Sequence, residues 1–367
     1  MKKIKYIIFF AVILLTDNIA FAQKCDCSTA FKWMKTAFEE NDAGFRYILD
    51  QKGYAAYETH NKLFENKVGE ITEPDSCVSA IRQWAKFFRV GHFGFIVNQV
   101  HIKKNKDSEN KSVGPSKNKI NNIHLDSEPY VQEYDSTTVY LRIATFESQY
   151  KKTIDSVIHA NSELIYTRKN LIIDIRDNGG GDDASFDEIL PIVYTNPIRD
   201  VSVARLSTPH NNKIWEDYMS QNSVSASDKA VYAGYLKKLN ANLGRFVMLH
   251  DSVRTFRYQK VTQFPQNVAI MINGNNGSTA EQFLLAARQS KKVKLFGTTT
   301  MGELDISNMY YITSPDGKYT LWYCTSKSLR IPENSIDNKG ISPDFYLDKS
   351  IPKNQWLPYV AGIMRYW

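Results

Sequence analysis

The stretch "NVAIMINGNNGSTAEQFLLAARQSKKVKLFGTTTMG", Asn267 to Gly302, reads as strand, turn, helix and strand in direct succession. Val268 to Ile272 is an unbroken apolar run with β-branched members, bounded by Asn and Gly, which is the pattern of a strand buried on both faces. Ala280, Phe283, Leu284 and Ala287 fall at i, i+3, i+4 and i+7, so the spacing predicts an amphipathic helix over 280–290. Val293–Phe296 then closes a β-α-β unit, and the class is α/β. The junction "NNGSTA", Asn275 to Ala280, raises a question that the stretch alone leaves open. Ser278-Thr279-Ala280-Glu281 reads as a capping box, with the hydroxyl on an orphan amide and Glu281 reaching back. Alternatively, a serine where a buried strand hands over to a helix is an exposed nucleophile.

The same texture extends outward. "TVYLRIATF" (138–146) predicts a strand, and residues 150–166 a helix with Ile154, Val157, Ile158 and Ile165 inward. "NLIIDI" (170–175) is a second continuous apolar strand, followed by "RDNGGGDD" and a helix expected around 184–194. Residues 206–263 are largely polar and helical in pattern, an insertion, and 309–331 form a hairpin around Ser314-Pro315-Asp316-Gly317. Ahead of all this, residues 29–96 are mostly helical; "DSCVSAIRQWAKFFRVGH" starts with Asp75 or Ser76 as its N-cap.

The chain of 367 residues is long enough for one large domain or two ordinary ones, and its 43% hydrophobic and 23% charged residues are those of a soluble globular protein. The first residues differ. Lys2, Lys3 and Lys5, an apolar run from Tyr6 to Leu15 and then Ala20-Phe21-Ala22 make a secretory leader over 1–22 with Gln23 as the first mature residue. The apolar run is too short to span a bilayer. Cys25 lacks the small apolar run that precedes a lipidated cysteine, so the expectation is a soluble exported protein, periplasmic or extracellular. Losing the leader removes three lysines and Asp17, which lowers the formal charge of +7 by two. Much of the remaining positive charge sits in 101–119, where six lysines alternate with Asn, Ser, Asp107 and Glu109 without aromatics. That composition is a solvated linker, and it argues against nucleic acid as a partner. Export permits a disulfide; Cys25 and Cys27 are too close to pair readily, so one of them is expected to bridge to Cys77. Cys-x-Cys without a matching second pair gives no zinc site, and no cofactor is expected.

Three further features bear on chemistry. The glycine run 179–181 fits neither phosphate-loop spacing, and Asp182 and Asp183 would repel a phosphate; it is a tight turn or a source of amides for an oxyanion hole. Asp182, Asp183, Asp187 and Glu188 offer paired carboxylates, but acids at a helix start ordinarily serve its dipole. His92, in "FFRVGHFGF", ends an apolar helix between Gly91 and Gly94, which leave its ring room to face a cleft. The other histidines, at 60, 101, 124, 159, 210 and 250, lie in polar or linker settings.

Together, "TVYLRIATF", "LIIDIRDNGGG", "VAIMINGNNGSTAEQF", "VKLFGTTTMG" and "KGISPDFYL" resemble, in order and texture, the C-terminal processing (tail-specific) serine peptidases. The resemblance covers about 137–348, with His92 as an outlying match. It implies a ClpP/crotonase-like α/β core, hydrolysis of peptides or unfolded protein, and Ser278 as nucleophile. The tail-specific branch places a lysine base after the "GxxTxG" motif, whereas Thr300-Met301-Gly302 is followed here by Glu303, which excludes a Ser/Lys dyad at that position. The tricorn-like branch uses a histidine from ahead of the core, and an acid before its "G-V-x-P-D" motif. Carried over, these are His92 as base and Asp337 as its orienting acid, with Glu303 and Asp305 as stand-ins. That branch has a serine before its histidine; Gly91 stands here. Thr279 and Gly180 would supply the oxyanion-hole amides. The span between His92 and the strand at 138 is too short for a PDZ domain. The expected organisation is leader 1–22, helical domain 23–98, lysine-rich linker 99–132, catalytic core 133–350 and a helical tail 351–367. The alternative is an inactive relative that binds peptides in the same cleft.

Overall fold

The computed structural model describes residues 25–98 and 128–367. The leader, Gln23 and the lysine-rich run 101–119 lie outside the described residues. In chain order the elements are α1 (Cys27–Asn41), α2 (Phe45–Lys52), α3 (Tyr54–Gly69), α4 (Pro74–Ala85), β1 (Gly94–Val97), β2 (Tyr130–Asp135), β3 (Thr138–Arg142), α5 (Lys151–Ala160), α6 (Ser162–Ile165) and β4 (Asn170–Asp174). They continue with α7 (Leu190–Val193), β5 (Ile198–Val201), β6 (Val203–Leu206), α8 (Lys213–Ser220), α9 (Ala226–Asn240), β7 (Phe246–Met248) and β8 (Val253–Phe256). Last come β9 (Asn267–Ile272), α10 (Thr279–Ala287), β10 (Val293–Gly297), β11 (Ile306–Thr313), β12 (Tyr319–Ser328), β13 (Phe345–Tyr346) and α11 (Trp356–Met364). The architecture is α/β with a small N-terminal helical unit.

The central sheet runs β13-β10-β9-β4-β3-β2, parallel from β13 to β3, with β2 antiparallel at the edge. Successive side chains of a strand point to opposite faces, and both faces are covered. Leu171, Ile173, Ile270 and Ile272 meet Ile154 of α5 and Phe283 and Leu284 of α10. Ile172, Ala269 and Met271 meet Trp356, Val360 and Met364 of α11. This double covering is why the strands read as unbroken apolar runs. Ile270→Ala would cost roughly 2–5 kcal/mol. β2 opens at Tyr130, ahead of residue 133, where the core was expected to begin.

Two expectations are corrected. The helix expected over 184–194 is a single turn at Asp183–Phe186 and the four-residue α7. Pro191 lacks an N–H and its ring clashes with the turn before it, so a continuous helix cannot pass through. α4 starts at Pro74, with Glu73 as its N-cap, not after Asp75 or Ser76; proline suits a first helical position, where the N–H has no partner anyway. The stretch 206–263 contains α8 and α9, and it is also woven into sheet structure: β7 pairs β6, and β8 pairs β5.

The helical unit is held by Phe31, Met34 and Phe38 of α1 packed on Trp84 and Phe88. A Cys27–Cys77 disulfide, Cα atoms 5.5 Å apart, joins α1 to α4 and settles which cysteine bridges; Cys25 and Cys324 are free thiols. The same cluster includes Phe95 of β1 and Tyr319, Leu321 and Tyr323 of β12. β1 and β12 belong to the second sheet, β1-β12-β6-β7, with β11 on β12. The segment carrying His92 is therefore pinned between the helical unit and this sheet. No helix among the described residues is long and apolar enough to cross a membrane.

Candidate active site

The end of β9 is tied to the end of β4 by asparagines. Asn276 is fully buried; its Oδ1 accepts from the Asn273 amide at 2.7 Å and its Nδ2 donates to the carbonyls of Ile175 (2.5 Å) and Asn178 (3.1 Å). Asn273 Nδ2 and Asn275 Nδ2 both donate to Asp177 Oδ1, at 2.8 and 2.6 Å. This network presses the Ser278 turn onto the glycine turn. A Cβ on Gly180 would lie 2.8 Å from Ser278 Cβ and 2.9 Å from the Thr279 nitrogen, so only glycine allows the approach. The sequence reading missed these asparagines; their clustering at both strand ends was the available signal.

Ser278 itself has φ 53° and ψ −123°. An N-cap residue ordinarily lies in the β region, and the hydroxyl makes no capping bond to α10. The capping-box reading therefore fails. Glu281, wholly buried, is held chiefly by the next loop: Oε1 accepts from Thr300 Oγ1 (2.5 Å) and the Gly302 amide (2.8 Å), and Oε2 from the Glu303 amide (2.9 Å), with the Ser278 amide a weaker neighbour. A positive φ on a non-glycine residue costs of order 1–3 kcal/mol and persists where surrounding contacts impose it. Here the imposing contact is the Ser278 amide on the Glu303 carbonyl at 3.2 Å. The Ser278 hydroxyl is half-buried and has no hydrogen-bond partner among the described residues.

The Thr279 amide, in the first turn where no intrahelical acceptor exists, donates to nothing among the described residues. The Gly180 amide is turned away, donating to Asn178 Oδ1 at 2.9 Å. Gly180 thus contributes space to the site, and its amide is engaged.

His92 follows α4 with φ 50°. Its carbonyl accepts from Arg89 Nε (3.3 Å) and Nη2 (3.1 Å), and Arg89 is paired with the buried Asp42. Its Nδ1 lies 2.9 Å from the Ile306 carbonyl oxygen. A carbonyl only accepts, so Nδ1 carries the proton and Nε2 of the neutral ring holds the lone pair. Burial, aided by the Arg89 charge and opposed by the Ile306 bond, pushes the imidazole below its ordinary range.

The three acids named from sequence divide sharply. Asp305 is buried and ion-paired with Arg330 at 2.9 Å, and accepts from Ser335 Oγ and the amides of Ile336 and Asp337. Asp337 accepts from the amides of Leu304 (2.7 Å), Asp305 (2.6 Å) and Ile306 (3.2 Å). It does not bond the His92 ring; it holds the amide of Ile306, the residue whose carbonyl does. Burial next to Asp305 pushes it up to about 6, against the three amides. Glu303 makes no side-chain hydrogen bond among the described residues. Its carboxyl is wedged between the residues preceding the serine and the histidine: a Cβ on Gly91 would lie 1.3 Å from Oε2, and one on Gly277 would lie 2.9 Å from Oε1. Burial first, then the charges of Glu281 and Asp337, push Glu303 up to about 7. The glycine at 91 is explained: a side chain there would collide with Glu303.

Residues 137–347 match the family model described as peptidase family S41. No curated protein sequence matches. Among solved structures, mature CPAF is similar in fold over 92% of this chain and 96% of its own, at 11% identity and a TM-score of 0.60. A Parabacteroides merdae protein matches over 92% of this chain and 96% of its own, at 13% identity and a TM-score of 0.51.

Proposed function

The chain belongs to peptidase family S41, and on that premise we propose that it is an exported serine endopeptidase in which Ser278 attacks and His92 is the base. One observation carries this reading. A single carboxyl, that of Glu303, touches both Gly277 and Gly91, so the serine and histidine segments meet within the width of one side chain, far from each other in sequence.

The chemistry follows from the atoms present. Serine is a weak nucleophile without an adjacent base; the unprotonated Nε2 of His92 takes the Ser278 proton as Oγ bonds the scissile carbonyl carbon. The Thr279 amide accepts no other duty and donates to the developing oxyanion. The Gly180 amide stays on Asn178 Oδ1, and Gly180 gives the oxyanion room. His92 then protonates the leaving amine, and water, deprotonated by the same nitrogen, releases the acyl group. Asp337 acts as a positioning residue through the Ile306 backbone, and Glu303 is a buried carboxyl packed where the histidine and serine segments meet. Asp305 is an anchor for the 335–337 loop.

Export is supported by the leader reading and by the disulfide, which needs an oxidising compartment. The absence of room for a PDZ domain supports short or unfolded peptides as substrates. Peptide binding without catalysis is the second reading, favoured by the lack of a hydrogen bond to the Ser278 hydroxyl. Catalytic hydrogen bonds are often open without substrate, and a fluorophosphonate probe separates the two, because only an activated serine labels.

A further inference from the structure

Beside the proposed catalytic residues lies a cavity of about 210 Å³. Gln282, one helical turn beyond Ser278, and Leu304, next to Glu303, form part of its lining, so it adjoins the reacting centre. Arg205 of β6 and Trp215 of α8 line it too, with the guanidinium 5.4 Å from the indole. The partners of Arg205 are both neutral, Thr325 Oγ1 at 3.2 Å and Asn308 Oδ1 at 3.0 Å. No carboxylate among the described residues pairs with it. The other arginines of the lining are paired, Arg254 with Asp200 at 2.5 Å and Arg330 with Asp305 at 2.9 Å. Arg330, 8% exposed, still keeps its buried Nε–H without an acceptor among the described residues. Burial pushes Arg205 down to about 10.

Arg205 is half-buried, so a cation there without a counter-charge loses part of its hydration, and a guanidinium is built to receive a carboxylate through two parallel N–H bonds. We propose that this cavity binds a carboxylate of the peptide substrate, with Arg205 as its partner and the Arg330 Nε–H as a further donor. The proposal deepens the peptidase reading and rests on it. A cationic side chain is the poorer fit. Asp200 is already held by Arg254 and by Gln282 Nε2 at 2.7 Å, which leaves only Asp183, solvent-accessible as a residue but with a carboxyl that burial raises to about 6, so that it is not fully ionised near neutral pH. The carboxylate has two sources, an acidic side chain or the chain terminus.

The test measures binding, so it does not depend on turnover. Mature full-length Ser278→Ala protein is titrated, by fluorescence anisotropy, into labelled peptides with Glu, Gln or Lys at each position in turn, each with a free and an amidated C-terminus. One position should favour Glu by roughly 10²-fold, the scale for truncating one partner of a buried charged pair. Arg205→Gln should abolish that preference, Arg205→Lys should retain part of it, and Asp183→Asn should leave or increase it. A preference that follows the free C-terminus and needs Arg205 assigns the pocket to the chain end. An unchanged Glu-to-Gln ratio in an Arg205→Gln protein that unfolds normally overturns the proposal, as does a Lys preference lost in Asp183→Asn. Arg205-dependent binding by a chain that never hydrolyses peptide leaves the pocket standing and removes the peptidase reading; hydrolysis without any such preference does the reverse.

Discussion

Glu303 Oε2 occupies the space that a side chain on Gly91 would need, only 1.3 Å from the position of its Cβ. The residue before the histidine and the residue after the "GxxTxG" motif are therefore one choice, not two: glycine at 91 admits the carboxyl at 303. Gly91→Ala should displace that carboxyl and lower kcat/KM, whereas the double variant Gly91→Ala/Glu303→Ala should be less impaired than the two single losses combined. Thermal unfolding of the four proteins should give a coupling of about 0.5–3 kcal/mol, the range for residues in contact. Strict additivity would mean that the two side chains do not share this space.

The buried carboxyl also sets a pH dependence. Because its pKa in the fold is about 7, the native state holds a proton at Glu303 that the unfolded chain has already released above roughly pH 4.3. Between those values the native state binds more protons, so the stability contributed by Glu303 falls as pH rises. Glu303→Gln should therefore melt above wild type at pH 8 and close to it at pH 5. Equal melting temperatures at both pH values would show a solvated carboxyl.

In the proposed mechanism His92 acts in the opposite sense on rate. The base must be unprotonated, and burial holds its pKa below the ordinary 6.5. The acid limb of kcat/KM should therefore fall below pH 6.5, measured on a neutral peptide ester. Asp337→Asn, which loosens the Ile306 peptide, should shift that limb as well as lower kcat. A Asp337→Asn enzyme with an unmoved pH profile would make Asp337 merely structural.

Much of the fold was legible because β4 and β9 are buried on both faces, so Leu171–Ile173 and Val268–Ile272 are apolar without a break, with polar residues only at the strand ends. The failures were local. Pro191 broke a helix whose apolar spacing was otherwise intact, and Ser278-x-x-Glu281 satisfied the pattern of a cap while the backbone at Ser278 took a conformation that forbids one. Ser278 and His92 were named by resemblance, and their roles are what the proposed mechanism puts to the test. The work of Glu281, Asn276 and Arg89 was not legible, since each acts on a backbone group brought near only by the fold. The three acids could not be ranked from sequence for the same reason: the amides held by Asp337, and the amides and Arg330 held by Asp305, separate them from Glu303, unpartnered among the described residues.

The disulfide gives a separate check. Peptide mapping without reductant should find Cys27 bridged to Cys77, with Cys25 and Cys324 alkylated. Closing a loop of this size is worth about 4 kcal/mol, so Cys27→Ser/Cys77→Ser should lower the denaturation midpoint while leaving probe labelling intact. Alkylation of Cys77 in oxidised native protein would contradict the pairing.

The most direct measurement of the central claim is fluorophosphonate labelling read by intact mass and peptide mapping. The wild-type protein should take one adduct, on Ser278. Ser278→Ala should take none, and His92→Ala should label more slowly by roughly 10³-fold or more while unfolding at the wild-type temperature. A folded wild-type protein that takes no adduct, or takes it on another serine, or labels equally fast without His92, would contradict the account.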